Sequence, residues 1–325
     1  MTRILVFLGQ RLIKMALVVL AIAVASFLLI HAAPGDPATV IAGQSGAADQ
    51  KLLDQLREQF GLDKPLLTQL GIYLRHILRF DLGFSYPQQR SVAALILERL
   101  PATLLLTGTA FLLALAAGLS LGIVAARHAG KLLDSVVTVL ALCFYATPIF
   151  WVGLMLVLVF SVWLNWLPSF GDSTVGADLA GFAAFLDKLH YLVLPAVTLG
   201  LFYMAVYARL TRSSMLEVAD QDYIRTARAK GVPEGRIVRR HMLRNALLPI
   251  VTLAGIQAGQ LIGGAILVET VFAWPGIGRL AFDALMARDY QLLLGVFVST
   301  SVLVVIFNFA TDLVYLVIDP RMEAA

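Results

Sequence analysis

One short motif in this chain has the spacing used by serine hydrolases. Residues 118–122 read Gly-Leu-Ser-Leu-Gly, the G-x-S-x-G pattern in which a strained strand-to-helix turn exposes a nucleophilic hydroxyl. Here the motif lies inside a long apolar run that predicts a helix. An intramembrane serine protease would also need a histidine deep in a late span to activate Ser120. The five histidines lie at span edges or in loops, so this function is only a distant alternative: His31, His76, His128, His190 and His241.

The sequence offers no other familiar reactive site. It has no G-x-x-x-x-G-K-[ST] phosphate loop, so we expect no ATP site in this chain. It has no H-E-x-x-H and no paired C-x-x-C, so we expect neither a metal nor another cofactor. The single cysteine, Cys143, cannot form an internal disulfide.

The composition is that of an integral membrane protein. Of 325 residues, 59% are hydrophobic and 14% charged, and the mean hydropathy is +0.84. Soluble domains are about 45–50% apolar and about 25% charged. The pI of about 9.3 could indicate a nucleic-acid partner, but the basic residues follow membrane sidedness instead, so none is predicted.

Six stretches are apolar and long enough to cross a bilayer as helices, which takes about 20 residues each. They are Met15–Ala33, Thr103–Ala126, Ser135–Trp163, Tyr191–Ala208, Leu247–Thr270 and Leu292–Ile318. We expect Pro148 to break the third stretch, whereas Pro195 in the fourth is compatible with a kink. The apolar core of the first stretch is about 17 residues, longer than a signal peptide needs, so we interpret it as a retained span.

The basic residues predict the orientation of these spans. Fifteen of the 25 Lys and Arg fall in the inner segments 1–14, 127–134, 209–246 and 319–325. The longer outer segments hold the other ten: 34–102, 164–190 and 271–291. Both termini are therefore expected to lie inside.

The same pattern divides the chain into regions. We expect an N-terminus with the first span (1–33), an outer amphipathic segment (34–102), a five-helix core (103–318) that contains an inner loop (209–246), and a tail (319–325). The outer segment opens with a turn signal, Pro-Gly-Asp-Pro at 34–37. Two amphipathic helices are predicted to follow it, Gln50–Gly61 and Leu66–Arg79.

The inner loop is strongly basic. Nine Lys and Arg but only four acidic residues lie between Arg209 and Arg244. A helix is predicted over Asp222–Lys230, because Gly231 can end it and Pro233 can begin the next one. Such a segment could rest on anionic headgroups, or it could dock in a groove on another protein.

This segment resembles the cytoplasmic coupling loop of bacterial ABC-importer permeases. The matching positions are Arg225-Thr226-Ala227, Gly231 and Leu247-Leu248-Pro249, with Arg225 where the general pattern has Glu. That departure is typical of the peptide and nickel branch, whose pattern DYxRTARAKG…RHxLRNALLP is similar to Asp222–Pro249. Three further matches to this branch are PGDP, ERLPATLLLT at Glu98–Thr107 and VETVFAWPGIGRL at Val268–Leu280.

The resemblance implies an all-α, six-span permease of the type I importer kind, in the bacterial cytoplasmic membrane. It implies a second homologous permease, two cytoplasmic ABC ATPases that bind ATP and Mg, and an extracytoplasmic substrate-binding protein. The expected function is ATP-driven import of di- or oligopeptides by alternating access. Nickel or other metal chelates and glutathione-like molecules are the alternative substrates.

The resemblance also implies roles for single residues. Those expected to couple to the ATPases are Tyr223, Arg225, Thr226, Ala227, Ala229, Lys230, Gly231 and Val232. Those expected to support the coupling loop are Arg236, Arg240, Asn245 and Pro249. Those expected to face the binding protein are Glu269, Trp274, Pro275 and Gly276.

Polar and small residues inside the spans carry further expectations. Polar groups in a membrane are costly and often functional, so Gln257, Gln260 and Asn308 are candidates for the translocation pathway. Small residues spaced by four favour internal helix packing: Ala110, Ala114, Gly118 and Gly122, then Gly255, Gly259 and Gly263. A secondary transporter is the remaining alternative. It would show repeats and intramembrane charges, but no repeat is visible and Asp312 is the only acid clearly within a span.

Overall fold

The computed structural model describes residues 2–32, 63–177 and 179–318. The helices are α1 (Thr2–Ala32), α2 (Leu66–Leu78), α3 (Val92–Arg127), α4 (Leu132–Ala146), α5 (Ile149–Leu156), α6 (Phe182–Ala219), α7 (Asp222–Ala229), α8 (Glu234–Arg236), α9 (Leu243–Val271), α10 (Ile277–Met286) and α11 (Tyr290–Ile318). Two π-helical stretches extend α5 and join α8 to α9: Val157–Trp163 and Ile237–Met242. A short antiparallel hairpin pairs β1 (Phe84–Ser85) with β2 (Arg90–Ser91).

The all-α, membrane-spanning architecture expected from the sequence is confirmed. Among the described residues, four helices are each long and apolar enough to cross a bilayer, namely those within α1, α3, α6 and α11. Two bent pairs of helices each pass the same test when the pair is taken as one span. The first pair is α4 with α5 and its π-helical extension, and the second is the segment from α8 into α9 with the last part of α9, from which it is separated by a bend. The turn signal at 34–37, the amphipathic helix expected over Gln50–Gly61 and the tail at 319–325 lie outside the described residues.

Two prolines behave differently in neighbouring spans. Before Pro148, Thr147 is extended at ψ 134°, since proline disfavours the helical region for the residue that precedes it. The hydroxyl of Thr147 donates to the carbonyl of Cys143 at 2.7 Å, and α4 meets α5 at a bend of 107°. The break expected at Pro148 is therefore present. Pro195 lies buried inside α6, which continues through it as one helix.

Several helices extend beyond the predicted spans. α3 begins at Val92, inside the segment assigned to the outer surface, and the Ser91 hydroxyl caps it by accepting from Ala94 N. α6 continues to Ala219, well past Arg209, where the inner loop was expected to begin. The predicted boundaries at 102 and 209 therefore fall within helices, because polar residues can continue a helix beyond its apolar stretch.

The core of the bundle is the contact of α3 with α6, which the small residues of α3 make possible. Ala110, Ala114, Gly118 and Gly122 are all buried. A Cβ added to Gly118 would lie 2.5 Å from Tyr207 Cβ and 2.9 Å from the carbonyl oxygen of Met204. The four-residue spacing in this span therefore serves packing within the chain, as expected.

The motif around Ser120 has no hydrolase geometry. It lies in the middle of α3, where Gly118 and Gly122 are packing positions. The Ser120 hydroxyl is exposed and donates to the carbonyl of Ala116 in the preceding turn at 2.7 Å. The strand-to-helix turn that presents a nucleophile is absent here.

The glycines of α9 pack only in part as expected. Gly255 faces Thr311 of α11, whose hydroxyl donates to the Gly255 carbonyl at 3.1 Å. Gly259 faces Asn308, also on α11. A Cβ at Gly263 would meet nothing within 4 Å, so this third glycine does not take part in the contact.

The end of the bundle opposite α7 has contacts that the sequence did not predict. α2 confirms the second amphipathic helix, but neither the hairpin nor α10 was expected. The Ser85 hydroxyl donates to Asp289 at 2.5 Å, and Asp289 accepts from the backbone N–H of Leu292 at 3.1 Å. The hairpin is thereby attached to the start of α11.

Candidate functional site

Helix α7 is anchored at one end of the bundle by one buried side chain. Ile224 is fully buried, as are Met215 of α6 and Ile237 of the π-helical stretch. Around them pack further apolar residues from α3, α6 and the region that joins α8 to α9: Ile123, Ala126, Leu216, Val238, Met242 and Ala246. We call this cluster the α7 seat. It connects α7 to the ends of three long helices.

The opposite face of α7 is exposed and polar. Of the residues expected to couple to the ATPases, six are exposed: Tyr223, Arg225, Thr226, Ala229, Lys230 and Gly231. Ala227 and Val232 are half-buried and pack against the α7 seat. Six of the predicted residues thus form an exposed surface, and the other two attach that surface to the α7 seat.

The end of α7 explains the glycine at position 231. Gly231 has φ +73°, a conformation that L side chains rarely adopt. Its N–H donates to the Arg228 carbonyl at 2.9 Å, and Val232 N donates to Ala227 O at 3.2 Å, which closes the helix. A replacement at Gly231 would therefore strain the backbone, so its effect would not isolate docking.

Two polar contacts hold the rest of the loop. Arg228 donates to Glu234 at 2.9 Å, and this carboxylate keeps the pKa of Arg228 above its ordinary value. The Asn245 amide donates to the Tyr223 hydroxyl at 2.8 Å and to the His241 carbonyl at 2.9 Å, which links α7 to α9. The other residues expected to support the loop are exposed: Arg236, Arg240 and Pro249.

An ion pair that the sequence did not reveal joins α4 to α6 near the same end. Arg212 donates from Nε to Asp134 Oδ1 at 2.5 Å and from Nη2 to Oδ2 at 2.7 Å. The Gly130 N–H donates to the same carboxylate at 3.0 Å. Bidentate geometry of this kind is the strong form of such a pair.

The residues expected to face a binding protein are mostly buried within this chain, and their role toward that protein stays a prediction. Glu269 and Trp274 are both 0% exposed, and Gly276 is also buried. Glu269 reaches neither water nor a basic side chain, although it lies near the outer end of its span. Only Pro275 keeps part of its surface exposed.

Glu269 instead organises the loop between α9 and α10. It accepts from the Thr103 hydroxyl at 2.7 Å, from Gly278 N at 2.7 Å and from Arg279 N at 3.1 Å. A Cβ at Gly276 would overlap its carboxylate. The Trp274 indole N–H donates to the Ala102 carbonyl at 2.9 Å. The two outer motifs, around Thr103 and around Glu269, therefore form one buried unit.

The polar residues expected along the pathway are not brought together around the cavity between α3, α9 and α11. Gln257 is buried and its Oε1 has no partner among the described residues, whereas Gln260 and Asn308 are exposed. A cavity of about 620 Å³ lies between α3, α9 and α11, and these three residues do not line it. Its lining is almost entirely apolar, including Leu104, Phe111, Ile250, Leu261 and Phe307.

The fold and site together define a class of protein. A bundle of membrane-spanning helices carries at one end a short polar helix that is seated firmly and exposed on its far side. Such a chain is a membrane permease with a surface through which another protein can act on it.

Comparisons with known proteins agree with this class. Residues 118–324 match the family described as "Binding-protein-dependent transport system inner membrane component", and residues 4–107 match its N-terminal family. The chain is 41% identical to a putative peptide transport system permease of Brucella abortus over 94% of this chain and 95% of that protein. It is 40% identical to the dipeptide permease DppB of Escherichia coli K12 over 94% of each chain.

The solved structures that match show the fold. An inward-facing structure of the MetNI methionine ABC transporter aligns with a TM-score of 0.56 at 21% identity. The alignment covers 70% of this chain and 97% of that one.

This chain belongs to the binding-protein-dependent transport system inner membrane family. It is a membrane-embedded permease subunit of a bacterial ABC importer, and ATP is hydrolysed on partner subunits rather than on this chain. A substrate-binding protein is also a partner. The protease and secondary-transporter alternatives are not favoured.

Proposed function

We propose that this permease imports peptides, as one half of a heterodimer with a second homologous permease. The observation that carries the proposal is the exposed polar face of α7 on its buried seat. The substrate class is supported by relatives at about 40% identity that are named peptide and dipeptide permeases. Two cytoplasmic ATPases bind ATP and Mg, and both termini of this chain lie on their side of the membrane. The distribution of Lys and Arg supports this orientation.

The proposed mechanism is alternating access driven through α7. ATP binding closes the ATPases around α7, and the motion passes through the α7 seat to the inner ends of α3, α6 and α9. Docking of the binding protein outside favours the same outward-open arrangement. Hydrolysis then returns the permease to the inward-open one.

The composition of the purified complex tests this assembly. A tagged form of the chain, purified from its own membranes in mild detergent, is expected to bring a second permease and two P-loop ATPases, identified by mass spectrometry. Recovery of the chain alone, under conditions that preserve known importers, would contradict the proposal.

A charge reversal on α7 tests the docking surface. We expect Arg225→Glu to lower uptake and substrate-stimulated ATPase activity at least tenfold, because Arg225 is exposed and would meet the ATPase groove. Uptake is measured with radiolabelled dialanine in proteoliposomes that contain the whole complex. Arg75→Glu is the matched control, since Arg75 is also exposed but lies on α2 at the other end of the bundle. Equal effects of the two changes would contradict docking at α7.

A further inference from the structure

Arg209 lies within the long helix α6, although the sequence had placed it in the inner loop. α6 passes Arg209 and continues to Ala219. Gly118 and Gly122 of α3 contact Tyr207, Ala208 and Thr211 of α6, which puts Arg209 level with residue 120. α3 ends at Arg127. Seven residues of helix correspond to about 10 Å, so Arg209 lies about that far from the inner end of α3.

The side chain of Arg209 points away from the inner surface. Its guanidinium lies 5.1 Å from the centre of the Tyr145 ring. Tyr145 follows Asp134 by eleven residues along α4, about 16 Å of helix, and Asp134 marks the inner end through its pair with Arg212. Tyr145 also stacks on Phe202 at 5.5 Å, and Phe202 precedes Arg209 by seven residues in α6. This direction is the opposite of the snorkelling that brings a lipid-facing arginine to the nearest interface.

Arg209 has no counter-charge within the described part of the chain. Arg209 is exposed, and no described carboxylate lies within ion-pair distance of it. The nearby Asp134 is already engaged by Arg212 through both carboxylate oxygens. A cavity of about 230 Å³ adjoins these groups, lined by Thr138, Ala141, Tyr145, Ala205, Arg209 and Arg212. The cavity therefore has a net positive charge.

A charged side chain deep in a membrane is costly unless it faces water or a partner charge. We propose that the surface formed by Tyr145, Phe202 and Arg209 lines the water-filled translocation pathway, and that Arg209 binds the C-terminal carboxylate of a passing peptide. The proposal rests on peptides being the substrate. In this proposal the pathway is lined by this surface and not by Gln257, Gln260 and Asn308, the residues expected from the sequence.

The geometry suits transient binding of a carboxylate. Tyr145 holds the guanidinium plane by a cation–π contact, which leaves N–H donors at its edge free for a bidentate carboxylate. Because Arg209 is exposed, water screens the attraction, and the peptide can leave again. A lysine would supply charge without the paired donors, so charge and geometry can be separated by mutation.

Uptake by the complete reconstituted complex tests the role of Arg209. We expect Arg209→Gln to lower uptake of dialanine at least tenfold and uptake of dialanine amide less than twofold, each relative to wild type. Arg209→Lys should retain a larger share of dialanine uptake than Arg209→Gln. Equal losses for the two peptides would overturn the proposal. If the wild-type complex transports no dipeptide, the proposal that peptides are the substrate is contradicted. If it transports dialanine but not dialanine amide, the labelling experiment below decides about the proposed surface.

Labelling tests the water-filled surface without any transport. A complex with Arg209→Cys and Cys143→Ser is expected to react with a small anionic methanethiosulfonate. The matched control is Leu112→Cys with Cys143→Ser, since Leu112 is exposed on an apolar stretch of α3 and should remain unlabelled. Absence of labelling at position 209 would overturn the proposal. Inhibition of wild-type dialanine uptake by phosphatidylglycerol in the proteoliposomes, absent with phosphatidylcholine and absent in Arg209→Gln, would assign the site to a lipid headgroup and overturn the proposal as well.

Discussion

Replacing Glu269 with alanine is expected to destabilise the outer half of the permease more than any other single polar change. The substitution leaves the Thr103 hydroxyl and the Gly278 N–H buried without their acceptor. Each buried group that loses its partner costs about 1–3 kcal/mol, so the loss of stability is on the order of 2–6 kcal/mol. The measurement is the melting temperature of the purified complex in detergent, together with its recovery from membranes.

Two further variants show whether the hydrogen bonds are the cause. Glu269→Gln keeps the shape of the side chain but turns an NH₂ group toward N–H and O–H donors. We therefore expect its melting temperature to lie between those of the wild type and of Glu269→Ala. Asp283→Asn is the matched control, because Asp283 is largely exposed and lies 3.8 Å from Arg279. A Glu269→Gln complex as stable as wild type would show that packing alone holds this loop.

Adding a single methyl group at Gly118 is the second change with a large expected effect. The Cβ of Gly118→Ala would lie 2.9 Å from a backbone oxygen of α6, which cannot turn aside as a side chain could. The two helices must therefore separate, and overpacking of this kind costs about 1–3 kcal/mol. We expect a lower melting temperature of the complex. We also expect uptake to fall by a larger factor than the amount of complex recovered from membranes.

The same chain supplies a control for this substitution. Gly108 lies in the same helix, but a Cβ there would meet nothing within 4 Å. Gly108→Ala should be neutral, or should stabilise the helix by up to about 1 kcal/mol, since alanine favours helix more than glycine does. If the two variants melt alike, the close approach of α3 and α6 does not limit stability.

Features with a local cause could be predicted from the sequence. Hydropathy located the spans, proline located the break before α5, and Gly231 with Pro233 located the end of α7. α3 begins before its predicted span and α6 extends beyond its predicted span at both ends, because a helix leaves the apolar region without a change of backbone. The hairpin strands have two residues each, too few to show a periodic pattern.

Pairs distant in the chain could not be predicted from one sequence. Thr103 and Glu269 are 166 positions apart, and Asp134 and Arg212 are 78 apart. Nothing in either residue's neighbourhood indicates its partner. Trp274 illustrates the consequence: it looked like a contact for another protein, but its indole N–H is used inside the chain.

The α7 seat has a mechanical consequence. A displacement of α7 is not expected to move one helix alone, because Ile224 belongs to one apolar cluster with side chains from α3, α6 and the start of α9. A close-packed apolar cluster has low compressibility, so we expect it to move as a unit. The ends of the three helices that meet in this cluster should therefore shift together, and each helix would carry that shift along its own length.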